Sequence, residues 1–195
     1  MSLKTRLLII AVLFGGGVLT AQVDSLDRKI RYYNTFMSGT LVGCGECVRG
    51  QDFNFSFVTF HGLSLKSGIK AGVGAGLDVY NDWRMYPLLA AFTIDKGRRR
   101  NALYLHINSG YSFGTYLPQQ DWGEPIYDDK GGFTISPMIG LRLGRDKMRV
   151  YMQAGYKYQH SKVSADFQNW WGWLYSYSRA YDLNRFVFQF GFGIN

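Results

Sequence analysis

The chain of 195 residues carries a formal net charge of +8, with 47% hydrophobic and 18% charged residues. That is enough apolar material for one folded domain, and it excludes a disordered chain. Aromatics at 17% and 24 glycines are unusually abundant, while four prolines and two cysteines exclude collagen-like and disulfide-scaffold classes. The positive charges are scattered, so nucleic acid is not an expected partner.

At the start, Lys4 and Arg6 precede the apolar run Leu7 to Leu19, and the small Ala21 follows. This is the layout of a secretory signal peptide over residues 1–21, with cleavage before Gln22 and residues 22–195 as the mature domain. Beyond Ala21 the best uninterrupted apolar stretch, about Tyr86 to Phe92, falls far short of the roughly 18 residues a membrane helix needs. A membrane crossing would have to be made by strands.

The rest of the chain has period two, in eight candidate strands. Phe36 to Cys44 and Phe53 to His61 open the series. Ile69 to Tyr80 splits completely, with Ile69, Ala71, Val73, Ala75, Leu77 and Val79 opposed to Lys70, Gly72, Gly74, Gly76, Asp78 and Tyr80. Tyr86 to Ile94 comes next, then Leu103 to Phe113, whose polar face carries Tyr104, His106, Asn108, Gly110 and Ser112. Phe133 to Leu143 sets six apolar residues against Thr134, Ser136, Met138, Gly140 and Arg142, although Pro137 implies a bulge or a shifted register. Met148 to Gln159 carries Gln153, Gly155, Lys157 and Gln159 on its polar side, and Phe186 to Ile194 alternates phenylalanine with Val187, Gln189 and glycine.

Alternation alone fits any half-buried antiparallel strand; the character of the two faces decides between architectures. A soluble carrier barrel turns large apolar groups inward, whereas a membrane barrel turns them to lipid around a small or polar interior. A glycine-rich polar face suits a crowded lumen and makes a poor water-facing surface. Short connections at Lys96 to Asn101 and Gly144 to Lys147 alternate with long ones at Gly114 to Lys130 and His160 to Asn184. The expectation is therefore an all-β, closed, antiparallel, eight-stranded transmembrane barrel, both termini periplasmic and long loops outside. A soluble lipocalin-like carrier is the alternative.

The run Phe60 to Ile94, with its G-x-G-x-G-hydrophobic-D-x-Y pattern before R-M-x-P, followed by the GYSF of Gly110 to Phe113, resembles small outer-membrane β-barrel proteins of Gram-negative bacteria. The resemblance implies an outer-membrane location, contact with outer-membrane lipids and lipopolysaccharide, and insertion by the barrel-assembly machinery. It implies little about activity. One departure is the end at Ile194 and Asn195, where such barrels finish on an aromatic residue.

Chemistry-bearing motifs are few, and neither a catalytic set, a metal site nor a cofactor is expected. Cys44 and Cys47 form a C-x-x-C without the βαβ context of a redox motif, and in an oxidising compartment they are a disulfide candidate. Inward Lys70, Asp78, Arg142 and Lys157 are expected to form a lumen charge network. His160, Ser161 and Asp166 are the only trio worth testing for hydrolysis of lipid. The loop Asp166 to Asp182 carries Trp170, Trp171, Trp173, Tyr175 and Tyr177, which could stack on a surface glycan or lipid headgroup or belong to the interfacial aromatic girdle. A structural or surface-binding role follows. A surface glycan or a protein is the partner such a role would take, and the alternatives are a narrow pore or hydrophobic-solute conduit, a lipid-modifying enzyme and the soluble lipocalin-like carrier.

Overall fold

The computed structural model describes residues 30–43, 52–65, 68–81, 83–96, 101–116, 126–144, 148–168 and 174–194. These form β1 (Ile30–Gly43), β2 (Asp52–Leu65), β3 (Ile69–Val79), β4 (Trp83–Lys96), β5 (Ala102–Tyr116), β6 (Ile126–Lys130), β7 (Gly132–Leu143), β8 (Met148–Gln168) and β9 (Leu174–Ile194). Every pairing is antiparallel, and β1 pairs with β9 to close the sheet. β6 and β7 both pair with β8 on either side of Gly131 and occupy one position in the wall, so the barrel has eight staves.

The register fixes the shape. From Arg31 the ladder runs through Ser64, Lys70, Thr93, His106, Met138, Gly155 and Val187, and it returns to β1 at Leu41, ten residues further along. With about 3.3 Å per residue and about 4.7 Å between strands, that stagger tilts the staves by about 40°, and eight such staves leave an interior just wide enough for side chains.

Two irregularities interrupt the wall. From Lys130 to Thr134 the chain takes four steps while β8 takes three from Lys162 to Gln159, which places a one-residue bulge around Gly131 and Gly132. Pro137 behaves otherwise than its sequence context suggests. The ladder with β8 lapses after Ile135↔Tyr158 and resumes at Met138↔Gly155 in the same register, so the proline, lacking an N–H, opens a gap without shifting the strand. At the end of the barrel where β1 begins and β9 ends, its terminal end, Gly68 (φ +83°) and Gly144 (φ +113°) turn the chain in the left-handed region that favours glycine.

The two faces separate as alternation requires. Val73 is 66% exposed on the outer wall, as are Phe186, Phe188, Phe190 and Phe192 of β9, while Lys70, Asp78, His106, Asn108, Gln153, Lys157 and Gln189 are buried inside. This polarity is the reverse of a soluble barrel and removes the lipocalin-like alternative; an apolar belt around a polar, closed interior is stable in lipid, where every backbone group must find its partner within the sheet. The glycines of β3 make room inside: a Cβ at Gly74 would come within 2.4 Å of the Phe60 ring. Tyr33, Met37, Val58, Phe60, Tyr104 and Tyr151 fill the lumen toward the termini, and Leu41, Tyr80, Trp83, Met85, Leu183 and Val187 fill it toward the other end.

The largest departure from expectation lies at that other end. The segments assigned to a long loop, His160 to Asn184, are mostly strand: β8 and β9 have 21 residues each and stay paired from Met148↔Ile194 to Gln168↔Leu174. Crossing a bilayer takes about 9–11 residues, so this hairpin continues well past the apolar belt. β6 extends it with a third strand, from Ile126↔Asp166 to Lys130↔Lys162. A run with strict cross-strand pairing reads as loop in sequence because, past Asp182, it no longer alternates apolar with polar.

Candidate functional site

The lumen contains two ion layers. Near the termini, Asp95 at the end of β4 accepts from both Lys70 (3.2 Å) and Arg142. Lys70 also donates to the Tyr151 hydroxyl at 3.3 Å and lies 5.6 and 5.3 Å from the ring centroids of Tyr33 and Tyr151. Toward the hairpin, Lys157 of β8 bonds Asp78 of β3. The expected residues Lys70, Asp78, Arg142 and Lys157 are thus all inside, but they form two separate groups. Their organising carboxylate, Asp95, has the same parity as the inward Ala91 and Thr93 and was hidden only by ending the strand one residue early.

A chain of neutral hydrogen bonds occupies the space between the layers. Tyr104 donates to Gln153 at 3.0 Å, Gln153 to Gln189 at 2.7 Å, and Gln189 to Ser56 at 3.2 Å. His106 is held in place by Thr93 at 2.7 Å and Asn108 at 3.3 Å, with its ring edge-on to Phe60. A cavity of about 20 Å³ beside Lys70, His106 and Tyr104 has room for one water molecule. At the hairpin end, Trp83 packs edge-on against Tyr181 at 5.9 Å, and Arg179 stands over the Tyr181 ring at 5.1 Å. The interior is filled by side chains, many of the polar ones joined in hydrogen-bonded groups.

The hairpin sets up a different environment on the outer surface. Tyr156 and Phe186 pack edge-on at the top of the apolar belt. Just beyond them Tyr156 donates to Asn184 (2.5 Å), while Tyr158 (2.8 Å) and His160 (2.7 Å) share Asp182. The His160 and Tyr158 hydrogen bonds hold the Asp182 carboxyl below its ordinary range. The hydrolytic trio is not assembled. His160 faces outward, and Ser161, next in the strand, is fully buried inside against the Met85 sulfur at 3.8 Å, while Asp166 lies further up the hairpin opposite Ser176.

The backbones of Tyr175 and Tyr177 belong to β9, opposite Phe167 and Ala165. Trp170, Trp171 and Trp173, which in sequence connect β8 to β9, and Cys44 and Cys47, between β1 and β2, lie outside the described residues. His61 is on the outer wall near the termini, bonded by Tyr32 at 2.6 Å.

No protein-family model and no curated protein matches the chain. Solved structures do. The crystal structure of Neisserial surface protein A aligns with 85% of this chain and 97% of its own at 10% identity, with a TM-score of 0.58. Outer membrane protein AlkL, solved in lipid bilayers, aligns with 89% of this chain and 93% of its own at 13% identity and a TM-score of 0.46. The translocator domain of autotransporter NalP from Neisseria meningitidis aligns with 98% and 95% at 13% identity and 0.33. The first of these carries the comparison, and with the eight closed staves and the outward apolar belt it makes this chain, by fold, a small closed eight-stranded barrel similar to Neisserial surface protein A.

Proposed function

We propose that the protein is a surface-binding barrel of the outer membrane, anchored by its wall and acting through the projecting β8–β9 hairpin. One observation carries this reading: each strand of the hairpin has 21 residues where about 9–11 suffice to cross, and β6 stiffens the excess into a three-stranded sheet. Ordering so much backbone beyond the membrane costs conformational entropy of about 1–2 kcal/mol per residue, which anchoring alone does not require. The filled lumen argues in the same direction, because it leaves no path for bulk solute.

In this reading both termini and the turns after β2, β4 and β7 face the periplasm, with the barrel-assembly machinery as the inserting partner. The hairpin meets lipopolysaccharide headgroups, a surface glycan or a protein. Trp170, Trp171 and Trp173, which connect its strands in sequence, supply the stacking groups with Tyr175 and Tyr177.

The test is a barrel whose residues 163–179 are replaced by an Asn-Gly turn, a sequence suited to closing a two-residue hairpin. It is expected to assemble in outer membranes and keep its heat-modifiable gel mobility while losing retention on lipopolysaccharide and glycan arrays. Full retention by the assembled short barrel would refute the hairpin as the binding element. Trp171→Ala and Trp173→Ala are expected to weaken that binding by about 1–3 kcal/mol per ring if the rings stack on the ligand. Unchanged binding would assign them to the girdle.

A further inference from the structure

Arg185 of β9 points into the lumen at the level of the upper ion layer and is 3% exposed. The wall is shaped around it: a Cβ at Gly43 across the β1–β9 seam would lie 2.7 Å from its Cδ and 3.0 Å from its Nη1. Yet the cation has no carboxylate partner among the described residues. Its Nη1 donates to the backbone carbonyl of its neighbour Asn184 at 3.3 Å, the guanidinium stands 5.8 Å over the Tyr80 ring, and Nε makes no bond. Asp78, the carboxylate seen in this layer among the described side chains, is engaged by Lys157.

A buried cation without a counter-charge is among the costlier features a fold can carry. Three further buried donors of the upper lumen are also without partners: the Tyr80 hydroxyl, the Asn54 amide and the Ser112 hydroxyl. Of these, Tyr80, just past the end of β3, is the one whose ring the guanidinium covers, while Asn54 and Ser112 stand on β2 and β5.

We propose that Arg185 is the anchor of an internal site for a small inorganic anion of halide size. The anion supplies the charge that no described carboxylate provides, accepting from the guanidinium with the unbonded Tyr80 hydroxyl as the nearest further donor. Leu41, Leu183 and Val187, all buried in the same packed layer, restrict the occupant to a monatomic or similarly compact ion and reject bulky organic acids. Arginine suits this role because its planar guanidinium offers several N–H donors in a fixed fork.

The experiment uses the full barrel refolded in detergent. Unfolding temperature is followed against chloride, bromide and gluconate at matched ionic strength, for the parent, Arg185→Met and Arg185→Lys. A ligand bound only by the folded state raises stability in a saturable way. The parent is expected to rise and saturate with chloride or bromide but not with the bulky gluconate. Arg185→Met is expected to lose that halide response and to melt in gluconate at or above the parent, because the uncompensated charge is gone; Arg185→Lys keeps a weaker response. Crystals grown with bromide are expected to show an anomalous peak against Arg185. An equal response to gluconate, which is mere screening, or water alone at Arg185 in the bromide map would overturn the proposal. So would an Arg185→Met barrel that melts well below the parent in every salt. Should that variant fail to assemble, the bromide map of the parent decides alone.

Discussion

The two ion layers of the lumen use the same groups with different redundancy. Near the termini, Asp95 serves two cations, and Lys70 has the Tyr151 hydroxyl and two aromatic faces besides. Toward the hairpin, Asp78 has Lys157 alone, although in each layer one carboxylate oxygen is left without a bond. Loss of a single cation in the lower layer leaves the carboxylate still paired, whereas loss of Lys157 in the upper layer leaves Asp78 without a bonded cation. The difference teaches that a narrow barrel interior tolerates ions according to how many partners each one keeps when one is removed, since desolvation is charged in full to any ion left alone.

The largest effect expected from this comparison is that of Lys157→Met, which strands Asp78 and should cost about 3–5 kcal/mol in urea unfolding from lipid vesicles. A cost no greater than that of the matching lower-layer variant would show that the layers are equivalent. Next comes a charge on the opposite side of the wall, where no partner exists at all. Val73→Arg, on the outer face of β3, should cost about 2–4 kcal/mol by the same measurement, while Ala91→Ser, inside on β4, should stay below about 1 kcal/mol. Similar costs for the two would mean that the faces are reversed. Lys70→Met is expected to lose only about 1–2 kcal/mol, from the forfeited cation–π and hydrogen-bond contacts, because Arg142 still holds Asp95. A collapse of this variant would deny the redundancy of the lower layer.

Where one face of a strand meets lipid and the other a packed lumen, sequence is legible, because burial imposes an unbroken period of two. The complete split of Ile69 to Tyr80 and the phenylalanine ladder of β9 both reappear in the structure with the expected faces outward. Strand ends were less legible, and Asp95 and Arg185 were missed for that reason: each sits one residue beyond the last apolar position, where alternation stops but pairing continues. The hairpin was the least legible, since beyond the belt the sequence of Lys162 to Gln168 and Leu174 to Ala180 no longer carries a sustained apolar face while the backbone pairing between the strands continues. Spacing in sequence likewise grouped His160 with Ser161, which alternation places on opposite sides of the wall.

The same contrast between redundant and single pairing recurs at the base of the hairpin, with a smaller consequence. Asp182 accepts from His160 and from Tyr158, and the His160 bond first, then the Tyr158 bond, hold its carboxyl below the ordinary range. A carboxyl whose pKa is lower in the folded state than in the unfolded one adds stability that is present above the unfolded value, near about 4, and is lost as pH falls through the folded value. The parent barrel should therefore be more stable than Asp182→Asn at neutral pH, by a margin that stays constant down to about pH 5 and closes below about pH 4. Because the group lies in water beyond Phe186, salt should shrink that margin, whereas salt should leave the cost of Lys157→Met, deep in the lumen, nearly unchanged. Unfolding midpoints of both variants across this pH range at low and high salt decide the matter: a margin for Asp182→Asn that ignores pH would mean that the carboxylate contributes only through packing, and one that ignores salt would place Asp182 in a drier site than its exposure indicates.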